Sequence, residues 1–313
     1  MAVYNRAAGM PDYSSSSGGY FIPELWSPRI QVRFYAKSVF RDISNTMYEG
    51  EIKKFGDVVN IRTYPDITIG NYVKGQTLDI QVPSSTPTSL TINSGKYFNV
   101  LVDDVDEAQS DITLLDEFSK TAGEQIAEAI DKDVLQNIYS DADDNNVGAS
   151  AGVETSGFDL GAADAPESLT SANILDYIVD CGTVLDEQNV PEDERWMVMP
   201  PLFTNLIKKS DLKDASLTGD KESIIRNGRI GMIDSMTIYK SNHLYSVTDS
   251  TTSTTCFYCL FGHPMGVSFA EQLVETFTIR ANNTFGQFVR GLHVYGYDVT
   301  KASALGYLYA DKG

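Results

Sequence analysis

Three short stretches of this 313-residue chain carry residue types at spacings that could do chemistry. Gly148-Ala149-Ser150-Ala151-Gly152 has the GxSxG spelling of a nucleophile elbow, in which the serine sits on a sharp turn between a buried strand and a helix. Here Asp143-Asp144-Asn145-Asn146 precedes it and another polar loop follows, so both supporting elements are missing and the match is a chance one. Asp141, Asp143 and Asn145 begin like a calcium loop, but Asn146 stands where such a loop needs Gly and Gly152 where it needs Glu. Cys256 and Cys259 with His263 look like half of a zinc site, yet no second Cys or His pair supplies the remaining ligands. Phe257, Tyr258, Leu260 and Phe261 around them read as a strand, where residues three apart face opposite sides. Buried structural thiols are the expectation. His243 and His293 have no carboxylate or nucleophile at a recognisable spacing and read as local hydrogen-bond partners. Carboxylates are so numerous that an acidic pair carries no specificity for glycoside chemistry. No catalytic residue, metal ligand set or cofactor site is assigned, and the expectation is that the chain is not an enzyme.

Composition bounds the alternatives. Apolar residues at 42% and charged residues at 21% are ordinary for a folded soluble protein, and 313 residues can bury a sizeable core. No apolar run approaches the roughly 18 residues of a membrane-spanning helix, and Met1–Gly19 has no apolar signal stretch. Three cysteines (Cys181, Cys256, Cys259) argue against a disulfide framework and for a reducing compartment. Net charge is −19, unevenly spread. Between Asp103 and Glu167 eighteen acidic residues face only Lys120 and Lys132, a balance of −16. Between Gly50 and Leu101 five basic residues (Lys53, Lys54, Arg62, Lys74, Lys96) meet four acidic ones, a balance of +1. Such asymmetry fits a partner surface or a solvated acidic face, but not a grip on nucleic acid, which needs Lys and Arg against phosphate.

The elements that must position these residues follow from periodicity. Residues 1–19 read as a loose arm. Trp26, Ile30, Phe34 and Val39 recur at roughly helical spacing, with Arg29, Arg33, Lys37 and Arg41 in the same stretch, which suggests a short amphipathic helix on that arm. From Glu51 to Asp104 helical periodicity stops. Segments 58–64, 90–92 and 96–102 read as strands, separated by Gly70, Gly75, Pro83, Pro87 and many Ser and Thr. This stretch has too few apolar residues to build its own core, so its backbone must find support elsewhere, most economically on a neighbouring subunit, the alternative being a flexible surface loop. Ser110-Asp111 opens the clearest helix, whose stripe from Ile112 through Leu115, Phe118, Ala122, Ile126, Ile130 and Val134 runs to about Tyr139. That helix is about 45 Å long at 1.5 Å per residue, a strut more than an ordinary globular helix. Residues 140–168 read as a loop or boundary. Beyond it come a helix over 174–187 starting near Ser171, a strand at 195–199, and a helix from Pro200-Pro201 to Lys209. A turn and strands follow over 228–239, then strands at 255–261, 273–280, 288–299 and 304–309. The class is α+β with two intertwined subdomains and no internal repeat.

Several stretches in fixed order carry a resemblance. They are Tyr20-Phe21-Ile22-Pro23-Glu24-Leu25-Trp26-Ser27, Tyr48-Glu49-Gly50-Glu51-Ile52, Gly56-Asp57-Val58-Val59, Ile61-Arg62-Thr63-Tyr64-Pro65-Asp66-Ile67, Gly95-Lys96-Tyr97-Phe98-Asn99 and Asp103-Asp104-Val105-Asp106. Downstream stand Asn189-Val190-Pro191-Glu192, Arg195-Trp196-Met197-Val198-Met199-Pro200-Pro201 and Gly228-Arg229-Ile230-Gly231. Together they resemble the major capsid protein of tailed bacteriophages, the family with the Hong Kong 97 capsid fold. The resemblance implies an N-terminal arm at 1–48 and an extended E-loop over 49–100. It implies a peripheral domain from 101–165 and 262–298 with a spine helix at 110–139, and an axial domain from 166–261 and 299–313. It further implies pentamers and hexamers of an icosahedral shell around double-stranded DNA, scaffolding and portal proteins as partners, and no membrane. The expected location is the virion, reached from the host cytoplasm. No long N-terminal scaffolding segment is evident, which points to a separate scaffolding protein.

Charge agrees with that reading. An acidic inner face repels phosphate over a Debye length of about 8 Å, while a near-neutral loop can lie on a neighbour's acidic body. Trp26, Arg29, Arg33, Arg41, Lys53, Lys54, Arg62 and Lys74 are therefore the candidates for intersubunit contact. Two rivals remain open: an encapsulin-like compartment of the same fold, and a secreted β-rich binding protein, against which the missing signal and unpaired cysteines count.

Overall fold

The computed structural model describes residues 38–47, 58–61, 67–78, 80–83, 87–104, 114–210, 231–282 and 285–313. Trp26, Arg29, Arg33, Lys53, Lys54 and Arg62 lie outside the described residues, as do the expected arm helix before Ser38 and the expected cap at Ser110.

One sheet of seven strands runs in the order β4 (Glu167–Leu169), β12 (Leu305–Lys312), β9 (Thr255–Gly262), β5 (Trp196–Met199), β7 (Met236–Lys240), β6 (Met232–Ile233), with β8 (Ser246–Thr248) beside β9. Trp196-Met197-Val198-Met199 is apolar without alternation because both faces of this central strand are covered. Met197 and Met199 enter one core and Trp196 and Val198 another. The first core is roofed by two helices, Ile174–Glu187 and Pro201–Lys209. The former presents Ile174, Ile178, Cys181 and Leu185 on one stripe, and the latter Phe203 and Ile207. Pro201 sits at the first helical position, where its missing N–H costs nothing. The helix expected near Ser171 starts at Ile174, because Thr170 donates through N and Oγ1 to Asn173 Oδ1 (2.7 and 2.9 Å) and closes a turn there first.

The second sheet is antiparallel and three-stranded, in the order β10 (Val267–Arg280), β11 (Gly286–Val299), β3 (Ser94–Asp103). The long helix spans Leu114–Asn137 and tightens into a 3₁₀ turn at Ile138–Asp141. Its Ile130, Val134 and Ile138 join Val267, Phe269 and Tyr295 of this sheet to Trp196, Val198 and Leu260 of the other, so a common core locks the two sheets together. β10 starts at Val267, earlier than the alternation over 273–280 suggests, because the register shifts between Glu271 and Leu273 and a bulge interrupts the period of two.

The GxSxG stretch lies in a turn, with Ala151 bridging Phe158 in place of an elbow. The 140–168 stretch is held in place by polar groups. Buried Asn146 donates through Nδ2 to the carbonyls of Ser303 (2.9 Å) and Leu305 (3.0 Å), and Glu187 accepts from Thr155 Oγ1 (2.8 Å) and Glu154 N (3.0 Å). Cys181, Cys256 and Cys259 are buried free thiols, with Cys181 and Cys259 in the first core. Among the described residues no cluster of three metal-ligating side chains occurs, and no helix is long and apolar enough to cross a membrane.

Candidate assembly surface

β1 (Val58–Ile61) and β2 (Thr88–Thr91) pair antiparallel, Val58 with Thr91 and Ile61 with Thr88. The same offset recurs farther out. Thr68 N donates to Gln81 Oε1 (3.0 Å), and Gln81 Nε2 donates back to the Thr68 carbonyl (2.6 Å). The chain reverses at Val73–Gln76, where Gln76 N donates to the Val73 carbonyl (3.0 Å) and Gly75 takes a positive φ of 89° that a side chain would resist. The described parts of 58–91 thus share one hairpin register with Lys74 at its tip.

A period of two sorts the side chains of this arm. Val59, Ile61 and Leu90 fall on one face at the root, where they pack on Ala270 and Val294. Gly296 admits that contact, since a Cβ there would stand 2.3 Å from the Thr91 carbonyl. In that register Ile67 stands opposite Val82 and Ile69 opposite Ile80, and all four side chains are exposed. Ile69 is 93% exposed, Ile80 92% and Val82 87%. The arm is therefore not short of apolar residues, as composition suggested; among the described residues its distal half has no opposing layer. Burial of such side chains is worth about 1.5–3 kcal/mol each, so the distal face leaves on the order of 10 kcal/mol unrealised within its own chain.

The three-stranded sheet is equally two-sided. Phe98, Gly291 and His293 face the long helix, where with Ser119, Gly123 and Ile126 they line a cavity of about 120 Å³. On the opposite face stand Tyr97, Asn99 and Leu101 of β3, Leu292, Arg290 and Phe288 of β11, and Phe277 and Ile279 of β10. Tyr97 is 79% exposed, while Leu101, Leu292, Phe277 and Ile279 are each 40–45% exposed. Arg290 lies 5.0 Å over the Phe288 ring and donates through Nε to Asn99 Oδ1 (3.1 Å).

Two carboxylates fix the first described segment. Asp131 of the long helix accepts through Oδ1 from Val39 N (2.7 Å) and Phe40 N (3.0 Å), capping the short helix Phe40–Ile43 from outside. Burial raises the Asp131 pKa against these hydrogen bonds. Glu271 holds Arg41 on one side and has His293 Nε2 at 3.2 Å on the other. Those partners, His293 first, pull its pKa down to about 2 despite burial. Asn45 adds backbone bonds to Val267 (2.8 Å) and Phe269 (3.0 Å). His243, too, stands beside a carboxylate, with Nε2 3.7 Å from Glu128 Oε1. Both acid partners are distant in sequence, which is why spacing did not reveal them.

Of the candidate contact residues, the structure describes two. Lys74 is exposed at the arm's tip. Arg41 is 58% exposed and already engaged by Glu271 of its own chain. The structure does not bring them together. Sequence reasoning missed the exposed sheet face, whose membership depends on strand pairing; the alternation of Tyr97, Asn99 and Leu101 was the available signal.

A family model described as phage capsid protein matches residues 86–308. The chain belongs to this phage capsid protein family. Solved structures agree on its architecture. The capsid protein is 25% identical to a chain of Mycobacterium phage Che8, with a TM-score of 0.73 and 92% of this chain and 96% of that one covered. It matches the capsid structure of cyanophage P-SCSP1u at 15% identity and TM-score 0.71, over 94% of each chain. It matches the mature capsid of bacteriophage PhiM1 at 16% identity and TM-score 0.69, over 93% and 92%. No curated protein matches the chain. The fold is the Hong Kong 97-type capsid fold, and the expected α+β class and family are those observed.

Proposed function

We propose that this capsid protein self-assembles as pentamers and hexamers of an icosahedral shell enclosing double-stranded DNA, and that residues 49–100 act as an E-loop reaching a neighbouring copy. The observation that carries the reading is the arm's apolar face, buried at its root and exposed where it leaves its own body. A surface of that kind marks an interaction site. In this reading the N-terminal arm is 1–48, the peripheral domain comprises 101–165 and 262–298, and the axial domain comprises 166–261 and 299–313. A scaffolding protein and a portal protein are the partners during assembly in the host cytoplasm. DNA is enclosed without sequence-specific binding, in keeping with a net charge of −19.

The basic residues Arg29, Arg33, Lys53, Lys54, Arg62 and Lys74, with Trp26, contact adjacent copies in this scheme, and Arg41 keeps more than half its side chain open to a second carboxylate. Size-exclusion chromatography with negative-stain microscopy tests the main claim: capsomers or megadalton shells are expected, and a lone 34.4 kDa monomer refutes it. Reversing charge at Lys53 and Lys54 is expected to lower shell yield and salt tolerance; unchanged shells would remove these two from the contact.

A further inference from the structure

The long helix packs on the three-stranded sheet unevenly along its length. In its C-terminal half Ile130, Val134 and Leu135 are buried. One turn earlier Ile126 is only half-buried, and so is Phe98, the β3 side chain beneath it. Two hollows remain in this layer. The larger, about 330 Å³, lies beside Gly95 and Lys96 and beneath Ala122 and Ala129. The smaller, about 120 Å³, lies between Phe98 and His293 of the sheet and Ser119, Gly123 and Ile126 of the helix. Phe98 and Ile126 border both hollows and so form the partition between them.

Two local features leave the smaller hollow unfilled. Phe98 pairs with Gly291 across the strands, and a Cβ at Gly291 would stand 2.0 Å from its ring. The ring therefore lies down over the glycine instead of standing up toward the helix. Above it Gly123 has no side chain to descend, and a Cβ there would meet nothing within 4 Å. Ser119, Gly123 and Ile126 fall on one helical stripe, so the gap sits in the middle of the stripe that lines the hollow. Protein interiors are otherwise close-packed, and a void deprives its lining atoms of contacts. Water fits it poorly. A buried water needs about two to four polar partners, and the polar side chains on this wall are already engaged. His293 Nε2 lies 3.2 Å from Glu271, and Ser119 has a partner of its own.

We propose that the cavity between Phe98, Gly123 and His293 is a binding site for a small uncharged aromatic molecule of a single ring. A dry cavity of roughly 150 Å³ walled by aliphatic and aromatic side chains takes up benzene or xenon, and the 120 Å³ here is space of the same class. The Phe98 ring supplies one wall, against which an aromatic guest packs offset or edge-on. A guest held between helix and sheet binds the folded chain and not the unfolded one, so it stabilises the fold by mass action. The site lies within one chain and holds whether or not copies assemble.

The test melts the full chain with and without saturating benzene, where a rise of about 2–5 °C is expected. Gly123→Leu fills the cavity and adds helix propensity. It should melt no lower than the unsubstituted chain and should lose the benzene-dependent rise. An equal rise in both chains, or no rise in the unsubstituted chain, overturns the site. Hydrogen exchange on the unsubstituted chain decides the matter even if the leucine variant folds poorly. Benzene should slow exchange within 95–98, 119–129 and 291–293; slowing confined to other segments overturns the proposal.

Discussion

The seven-stranded sheet buries both of its faces inside its own chain, whereas the three-stranded sheet buries one face and leaves Tyr97, Leu101 and Leu292 in the open. Each sheet is built from similar residues, Val, Leu, Ile, Tyr and Phe, so composition does not separate them. What separates them is the covering layer. Helices at 174–187 and 201–209 roof one side of the larger sheet, and the long helix with the smaller sheet closes the other. Among the described residues the smaller sheet has the long helix on one side and, on the other, the root of the arm. In the proposed shell the first region folds alone and the second is finished by a neighbour.

The sharpest way to break that division is to damage the self-sufficient half. Arg195 is buried to 2% exposure beneath the helix at 174–187. Its guanidinium donates to the carbonyls of Pro191 (2.8 Å) and Val190 (2.6 Å) and to Asp186 Oδ1 (2.6 Å). Arg195→Ala strips these acceptors of their donor and opens a cavity, and should lower subunit stability by about 3–5 kcal/mol in chemical denaturation. Tyr97→Asp, at a side chain 79% exposed, should do the reverse, lowering assembly and sparing the fold. If Arg195→Ala left stability unchanged, the larger sheet would not be the folding unit described.

A smaller effect tests the seam between the two regions. Asp131→Ala leaves the Val39 and Phe40 amides without an acceptor in a buried place, yet also removes a carboxylate that burial disfavours. These terms oppose one another, so a net loss of only about 1–2 kcal/mol is expected, comparable to the loss of a helix cap. Hydrogen exchange should show it as faster exchange confined to 38–45 with the strands near Trp196 unchanged. Faster exchange spread over the whole chain would mean that Asp131 supports the common core and not the first segment alone.

Much of this architecture was legible in the residues. The strands expected at 90–92 and 96–102 and the described part, 58–61, of the one expected at 58–64 showed in their residue types, and the helices at 174–187 and 201–209 in theirs, the second with its proline start, because in each case the local pattern and the final structure agree. Three things were not legible. The first half of β10 was hidden by the bulge after Glu271, which breaks the period on which a strand is recognised. The arm's register is written in a two-way bond between Gln81 and the Thr68 backbone, and no residue pattern announces such a link. The exposed face of the three-stranded sheet exists only once β3 is paired with the β10–β11 hairpin, far from it in sequence. Arg195 looked like the first residue of a strand, and nothing local reveals that its guanidinium closes a neighbouring helix.

The smallest predicted effect is a pH dependence, and its sign separates the two carboxylates that hold the first segment. Glu271 has its pKa lowered from an ordinary 4.5 to about 2 by His293 and Arg41. A depressed carboxylate contributes stability above its unfolded pKa, and that contribution fades as pH falls from about 4.5 toward 2. Asp131 is raised by burial from 3.8. Its contribution is therefore greatest below 3.8 and is lost as pH rises through the raised value. The two oppose each other on acidification. Glu271→Gln should consequently narrow the stability gap between pH 5 and pH 2, the loss relative to the unsubstituted chain being largest above 4.5. Asp131→Asn should widen that same gap, since it removes the group that acid favours. Denaturation midpoints of both variants across this range check the pair. If both shifted the acid limb in the same direction, Glu271 and Asp131 would be acting through one shared network and not as two separate holds on residues 38–45.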